Sequence, residues 1–273
     1  MVEELPKACW LVAAIMFAAA TVVYGQQEPC FFVFGDSMSD NGNNNNLKSE
    51  AKVNFSPYGI DFPQGPTGRF SNGRTIPDII GELSGFKDFI PPFAGASPEQ
   101  AHTGMNYASG GSGLREETSE HLNLYRLGAR KVAVFGLSQI GCTPKIMKSH
   151  SDGKICSREV NEAVKIFNKN LDDLVMDFNK KVRGAKFTFV DLFSGGDPLA
   201  FKFLGFKVGD KSCCTVNPGE ELCVPNQPVC ANRTEYVFWD DLHSSEATNM
   251  VVAKGSFDGI ITKPYSIAQL VKE

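Results

Sequence analysis

Apolar residues along this chain gather into short runs that each stop at glycine or polar residues. Phe31 to Phe34, Met105 to Ala108, Lys131 to Leu137 and Lys186 to Leu192 all have this form, and each reads as a buried strand running into a loop. Between the last two the period changes. Val160, Val164, Phe167, Leu171, Leu174, Phe178 and Val182 recur every three or four residues, which predicts one long amphipathic helix from Arg158 to Val182. A strand, a helix and a second strand in that order pair in parallel through a right-handed crossover, so the fold class is α/β, with a layered parallel sheet. No internal repeat is present, and Asn43 to Asn46 is long enough only for a polar turn.

One apolar run is of another kind. From Trp10 to Val23 it follows a polar start through Lys7, and it precedes Gly25, with Val23 two places before that small residue. This pattern predicts a secretory signal peptide over residues 1–25, cleaved before Gln26, with 26–273 as a single domain. The run is short for a membrane span, which takes about 20 residues, so no stable span is expected after cleavage. With 42% hydrophobic and 21% charged residues the chain is globular, and a formal charge of -4 carries no nucleic-acid footprint.

The cysteines agree with export to an extracellular or cell-wall location. Cys142 and Cys156 flank a polar loop, while Cys213, Cys214, Cys223 and Cys230 crowd a loop rich in proline, glycine and asparagine, where disulfides add most. Adjacent Cys213 and Cys214 are each expected to take one of Cys223 and Cys230, in an order the sequence leaves open. A zinc cluster is the rival reading, disfavoured because that loop holds no histidine. Cys9 leaves with the signal peptide and Cys30 has no evident partner. Asn54-Phe55-Ser56 and Asn232-Arg233-Thr234 are glycosylation sequons.

Candidate chemistry lies at two separated places. The first strand stops at Gly35-Asp36-Ser37-Met38, and side chains at the carboxyl end of a parallel strand face the crevice where ligands bind. Near the other end, Phe238-Trp239-Asp240-Asp241-Leu242-His243 places a histidine three residues after an aspartate, so an oriented base could sit over Ser37. Asp241 is the one carboxylate that competes with Asp240. Trp239 is expected to pack beside this loop, and His102, His121 and His150 sit in polar segments that read as solvated.

Several ordered stretches resemble plant-type GDSL esterases/lipases of the SGNH hydrolase superfamily. They are Phe32 to Asn44, Pro57-Tyr58-Gly59-Ile60-Asp61-Phe62, Gly65 to Gly73, Asn106-Tyr107-Ala108-Ser109-Gly110-Gly111, Gly128 to Lys131, Gln139 to Cys142 and Phe238 to Ala247. The resemblance implies a three-layer α/β/α fold with a parallel, flavodoxin-like sheet ordered 2-1-3-4-5. It implies Ser37 as nucleophile, His243 as base and Asp240 as the orienting acid, acting on lipid or other acyl esters without metal or organic cofactor. The family's oxyanion donors are the nucleophile's own N–H, here Ser37, a glycine N–H after the second strand and an asparagine side chain. Gly111 fits the glycine by its spacing of five from Asn106, with Gly110 and Gly113 as rivals.

The chain also departs from the family. The block that ends in Gly-x-Asn-Asp, and supplies both the central third strand and the oxyanion asparagine, has no counterpart. Two strand-crossover-strand units of about 30 residues or more each should separate the second and fourth strands, yet only the 22 residues from Ser109 to Arg130 do so. An internal deletion near Leu122/Asn123 is the reading, as a skipped exon or a faulty gene model would produce. Two outcomes follow for the sheet. It can close over the lost strand and carry His243 inward by roughly 4.8 Å, breaking the serine–histidine pair. Otherwise it keeps its positions and leaves open strand edges around an intact pair.

Overall fold

The computed structural model describes residues 30–113, 124–125, 128–151, 155–195 and 198–272. The expected signal peptide and the expected deletion point near 122/123 lie outside them, as do His121 and Asn123. Three small sheets are present among the described residues. β1 (Phe31–Val33) pairs in parallel with β2 (Gly104–Asn106), and β3 (Lys131–Phe135) pairs in parallel with β4 (Lys186–Val190). A short β7 (Thr262–Lys263) adds an antiparallel edge to β4, and β5 (Val208–Ser212) pairs with β6 (Tyr236–Phe238).

Local chemistry explains these elements. Gly104 takes φ of 123°, and a Cβ there would overlap the Phe31 carbonyl, so glycine lets β2 lie against β1. α1 (Ile76–Leu83) starts in a capping box between Thr75 and Asp78, with Pro77 in its first turn. α2 is Pro144–Ser151, and α3 spans Arg158–Lys181 behind a Ser157 cap. Two short helices, α4 (Leu192–Gly195) and α5 (Pro198–Phe203), follow β4. α6 (Glu246–Asp258) is capped by Ser245 and ends at the left-handed Gly259, and α7 (Ile267–Lys272) closes the chain.

Helices lie on both faces of β3 and β4. α3 covers one face, where Val175, Phe187 and Phe189 pack with Val132 and Val134. α1, α6 and α7 cover the other through Ile76, Ile79, Ile80, Ala253 and Ile267, and the same cluster holds Phe31 from β1 as well as Ala133 and Phe135 from β3. This shared helical layer keeps β1 and β3 in one body. No ladder joins them: the parallel order is β1-β2 in one piece and β3-β4 in another. On β1 and just after it, Phe32 and Phe34 are 49% and 42% exposed, with Phe34 stacked on Tyr107.

Candidate active site

Ser37 lies in the turn that follows β1, half-buried, one residue after Asp36, whose Oδ1 accepts the Met38 N–H at 2.9 Å. The turn is anchored from beneath by Asp40, fully buried, whose carboxylate accepts the N–H groups of Gly42, Asn43 and Gly110 at 2.8 to 2.9 Å. Burial pushes the Asp40 carboxyl above its ordinary value against the pull of those donors. The bond to Gly110 ties the serine turn to the glycine loop after β2, and Ser109 N–H to Gly35 O at 3.0 Å continues the parallel pairing between them.

The acid and base come from the loop between β6 and α6. Asp40's counterpart there is Asp240, whose Oδ1 accepts the N–H groups of Leu242 and His243 at 2.8 and 2.6 Å and so folds the loop into a tight turn. Trp239, fully buried with Tyr58 and Phe70, holds that loop from below, and its carbonyl accepts the N–H of Cys213 and Cys214 at 3.0 Å each. α6 is fastened to α1 by Asn249 Nδ2 to the Arg74 carbonyl at 2.9 Å and by Arg74 Nε to Glu246 at 2.6 Å. The start of α6, and His243 just before it, is thereby fixed relative to the layer that also carries β1.

The three side chains fall into line. His243 Nε2 is 2.8 Å from Ser37 Oγ, and Nδ1 is 2.8 and 3.0 Å from the two Asp240 oxygens. His243 and Asp240 are both buried, and the imidazole lies 4.9 Å from the Phe70 ring. Burial alone would lower the His243 pKa, but the charge and hydrogen bond of Asp240, with smaller help from Asp36 and Glu221, raise it above the ordinary histidine value. The serine–histidine contact is present, and among the described residues β1-β2 and β3-β4 are separate pieces.

Asp241 points elsewhere. It accepts from Lys148 Nζ at 2.7 Å and from Ser212 Oγ at 2.8 Å, so it is a buried ion-pair partner between α2 and β5. Ser39 serves the backbone, its carbonyl accepting Asn106 Nδ2 at 2.8 Å. Gly111 adopts φ of 86° in the exposed loop after β2; the Gly110 N–H is taken by Asp40, whereas the Gly111 N–H has no acceptor among the described residues. His102 and His150 are exposed.

Five asparagines lie in the segments that hold the serine turn. Asn41, Asn43, Asn44, Asn45 and Asn106 each already donate to a backbone carbonyl. The disulfides are Cys142–Cys156, Cys213–Cys230 and Cys214–Cys223, a nested order that fixes what the sequence left open and occupies all four cysteines of the loop. Cys30 is in no disulfide among the described residues. Sequence reasoning gave no role to Tyr58 or to the buried Arg69–Asp78 pair, bidentate at 2.7 and 2.8 Å. Tyr58 and Arg69 were marked only by their place inside the Pro57 to Phe62 and Gly65 to Gly73 stretches, and Asp78 lay outside every stretch.

A serine, an imidazole and a carboxylate in hydrogen-bonded series at the end of a parallel strand make the arrangement of a serine hydrolase. Comparison with known proteins narrows the class. The family model for GDSL-like Lipase/Acylhydrolase matches residues 114–255. GDSL esterase/lipase At2g19010 of Arabidopsis thaliana is 74% identical over 344 residues, spanning 98% of this chain and 100% of the relative. At2g19050 and At4g30140 of the same plant are 50% and 47% identical, covering 100% and 99% of this chain and the whole of each relative. The chain belongs to the GDSL esterase/lipase family and is by that membership a serine ester hydrolase. An alignment of 344 positions against a chain of 273 residues leaves at least 71 positions of At2g19010 without a counterpart here.

Proposed function

We propose that this chain is a secreted carboxylic-ester hydrolase that works through a Ser37–His243–Asp240 triad and an acyl-enzyme on lipid or other acyl esters. The observation that carries the reading is the 2.8 Å contact from His243 Nε2 to Ser37 Oγ with Asp240 on the other ring nitrogen. In this scheme Ser37 Oγ attacks the ester carbonyl while His243 Nε2 takes its proton, and Asp240 holds the Nδ1–H and steadies the imidazolium. His243 then protonates the leaving alcohol, and a water activated by the same nitrogen releases the acid. The N–H groups of Ser37 and Gly111 supply two oxyanion donors; the third donor of the family, an asparagine amide, is missing with the deleted segment. Turnover of a short-chain chromogenic ester by the purified chain tests the proposal.

One observation favours a second reading, a relic that keeps the site without turnover: the asparagine amides beside the serine are all engaged in holding the loop. A fluorophosphonate probe separates the two, since a relic would label at Ser37 slowly or not at all while an enzyme labels and turns over.

His243 must be neutral to accept the serine proton. Its pKa is raised in the folded chain, so the base is protonated and idle below that value and competent above it. The acid limb of kcat/KM should therefore lie above the ordinary histidine value of 6.5. A limb at or below that value would show that Asp240 does not govern the imidazole.

Export rests on the apolar run before Gln26, the three disulfides and the two sequons. Asn54 and Asn232 are both exposed, with Asn232 the better acceptor because Pro57 stiffens the backbone directly after the other sequon. The secreted form should begin near Gln26 and lose mass on glycosidase treatment. Recovery of an unprocessed, unglycosylated chain from the cytosol would defeat this part of the proposal.

A further inference from the structure

Tyr58 is 1% exposed and sits 182 residues from the carboxylate it touches: its hydroxyl is 2.7 Å from Asp240 Oδ2. The backbone N–H of Cys223 points at the same hydroxyl oxygen from 3.0 Å. An N–H can only donate, so it fills a lone pair of the phenol oxygen and the phenolic proton is directed to Asp240. Apart from His243 itself, Oδ2 has no other donor among the described residues, whereas Oδ1 is held by two backbone N–H groups. Rotation of the carboxylate about its own bond is thus fixed at one oxygen by the loop and at the other by Tyr58.

We propose that Tyr58 is a positioning residue of the active site, one that sets both the orientation and the basicity of Asp240 and through it the proton affinity of His243. The inference rests on the triad reading above and deepens it. The Cys214–Cys223 disulfide belongs to the same device, because it holds the strand of loop whose N–H orients the phenol, and Cys214 N–H is itself tied to the Trp239 carbonyl beside Asp240. The ring is held by edge contacts with Phe55, Phe70 and Trp239 at 5.5, 6.4 and 6.4 Å between centroids. Burial, followed by the charge and bond of Asp240, drives the phenol pKa far up against the pull of the Cys223 N–H, so the group stays a neutral donor at every working pH.

Donation by the phenol draws charge out of the carboxylate and so weakens its hold on an imidazolium. Removing it in Tyr58→Phe, which keeps the ring, should move the His243 titration to higher pH in an NMR experiment and move the acid limb of hydrolysis with it. The freed carboxylate also loses its alignment, so kcat should fall roughly tenfold with KM unchanged. A ring-fluorinated tyrosine at position 58, whose phenol is a stronger donor, should move the His243 titration the opposite way. The other charged groups that bear on His243, Asp36 and Glu221, are the same in every variant.

Opposite shifts in the two Tyr58 variants support the proposal, and the fluorinated one carries the test by itself if Tyr58→Phe does not fold. Unmoved His243 titrations in folded variants overturn it, because a purely structural tyrosine has no route to the imidazole. Since the titration is read without substrate, a failure of the triad reading appears separately, as hydrolysis that survives Ser37→Ala.

Discussion

Ester hydrolysis by this chain should drop to background in Ser37→Ala, and by the same factor in His243→Ala. Removing the nucleophile or base of a complete serine hydrolase costs about 10⁶ in turnover, and the oxyanion hole proposed above, short of one donor, would by itself lower turnover by about 10² to 10³. The measurable loss is therefore roughly 10³ to 10⁴. The double variant should be no worse than either single one, because the two groups act on one proton. Ser39→Ala should keep activity, since Ser39 contributes a backbone carbonyl that alanine also has. Asp240→Asn should cost nearly as much as loss of the serine, for the wrong imidazole nitrogen would then carry the proton. Asp241→Asn should instead lower thermal stability by stripping Lys148 and Ser212 of their partner, with turnover retained. Loss of hydrolysis from Ser39→Ala alone, or a folded Asp241→Asn more damaged in kcat than Asp240→Asn, would overturn the assignment.

Much of the frame behind this prediction was legible in the sequence. The α3 helix, expected from Arg158 to Val182, runs from Arg158 to Lys181 because its apolar stripe packs on a sheet face. β1, β3 and β4 fall inside the expected runs and β2 overlaps its run, starting one residue early at Gly104, since a strand buried by helices carries its apolar residues consecutively. α6 left no such trace. Its buried face is built from Thr248, Asn249, Ala253, Gly255 and Ser256, small or polar residues whose partners are backbone groups and α1, so no apolar stripe marks it. β5 and β6 were hidden for another reason: Val208 to Ser212 is mostly polar and Tyr236 to Phe238 is three residues long, and both are held by a disulfide-rich loop.

The candidate triad was legible because its chemistry is written in short motifs. What surrounds it was not, since it depends on contacts between distant segments. Tyr58 and Asp240, Arg74 and Glu246, and Asp40 and Gly110 each join parts of the chain 70 or more residues apart. These contacts explain how the site is held although β1 and β3 share no ladder. Ser37 is fixed by Asp40 and the glycine loop, His243 by Asp240 and the start of α6, and the two are related through α1 and α6 rather than through strand ladders. The Ser37–His243–Asp240 distances therefore stay within bonding range although no ladder joins β1-β2 to β3-β4.

The internal deletion proposed near Leu122/Asn123 carries the expectation that supplying the segment raises both stability and rate. A chimera that inserts the At2g19010 residues without counterpart here, placed near Leu122/Asn123, would offer one strand to the edges of β1 and β3 that carry no ladder among the described residues. It would also offer a helix to the face that holds Phe32 and Phe34. Each new ladder satisfies open N–H and C=O groups that otherwise invite edge-to-edge association, and burial of aromatic side chains adds about 25 cal/mol per Å² removed from water. The chimera should melt higher and aggregate less in a concentration series. Its turnover should rise by about 10² to 10³, the value of one oxyanion donor. Changing the asparagine of its Gly-x-Asn-Asp block to alanine separates the two contributions: the melting point should stay at the chimera's level while the rate returns to that of the present chain. A chimera that folds better without becoming faster would show that another group already serves the oxyanion here, and Asn106 and Asn123 would be the places to look.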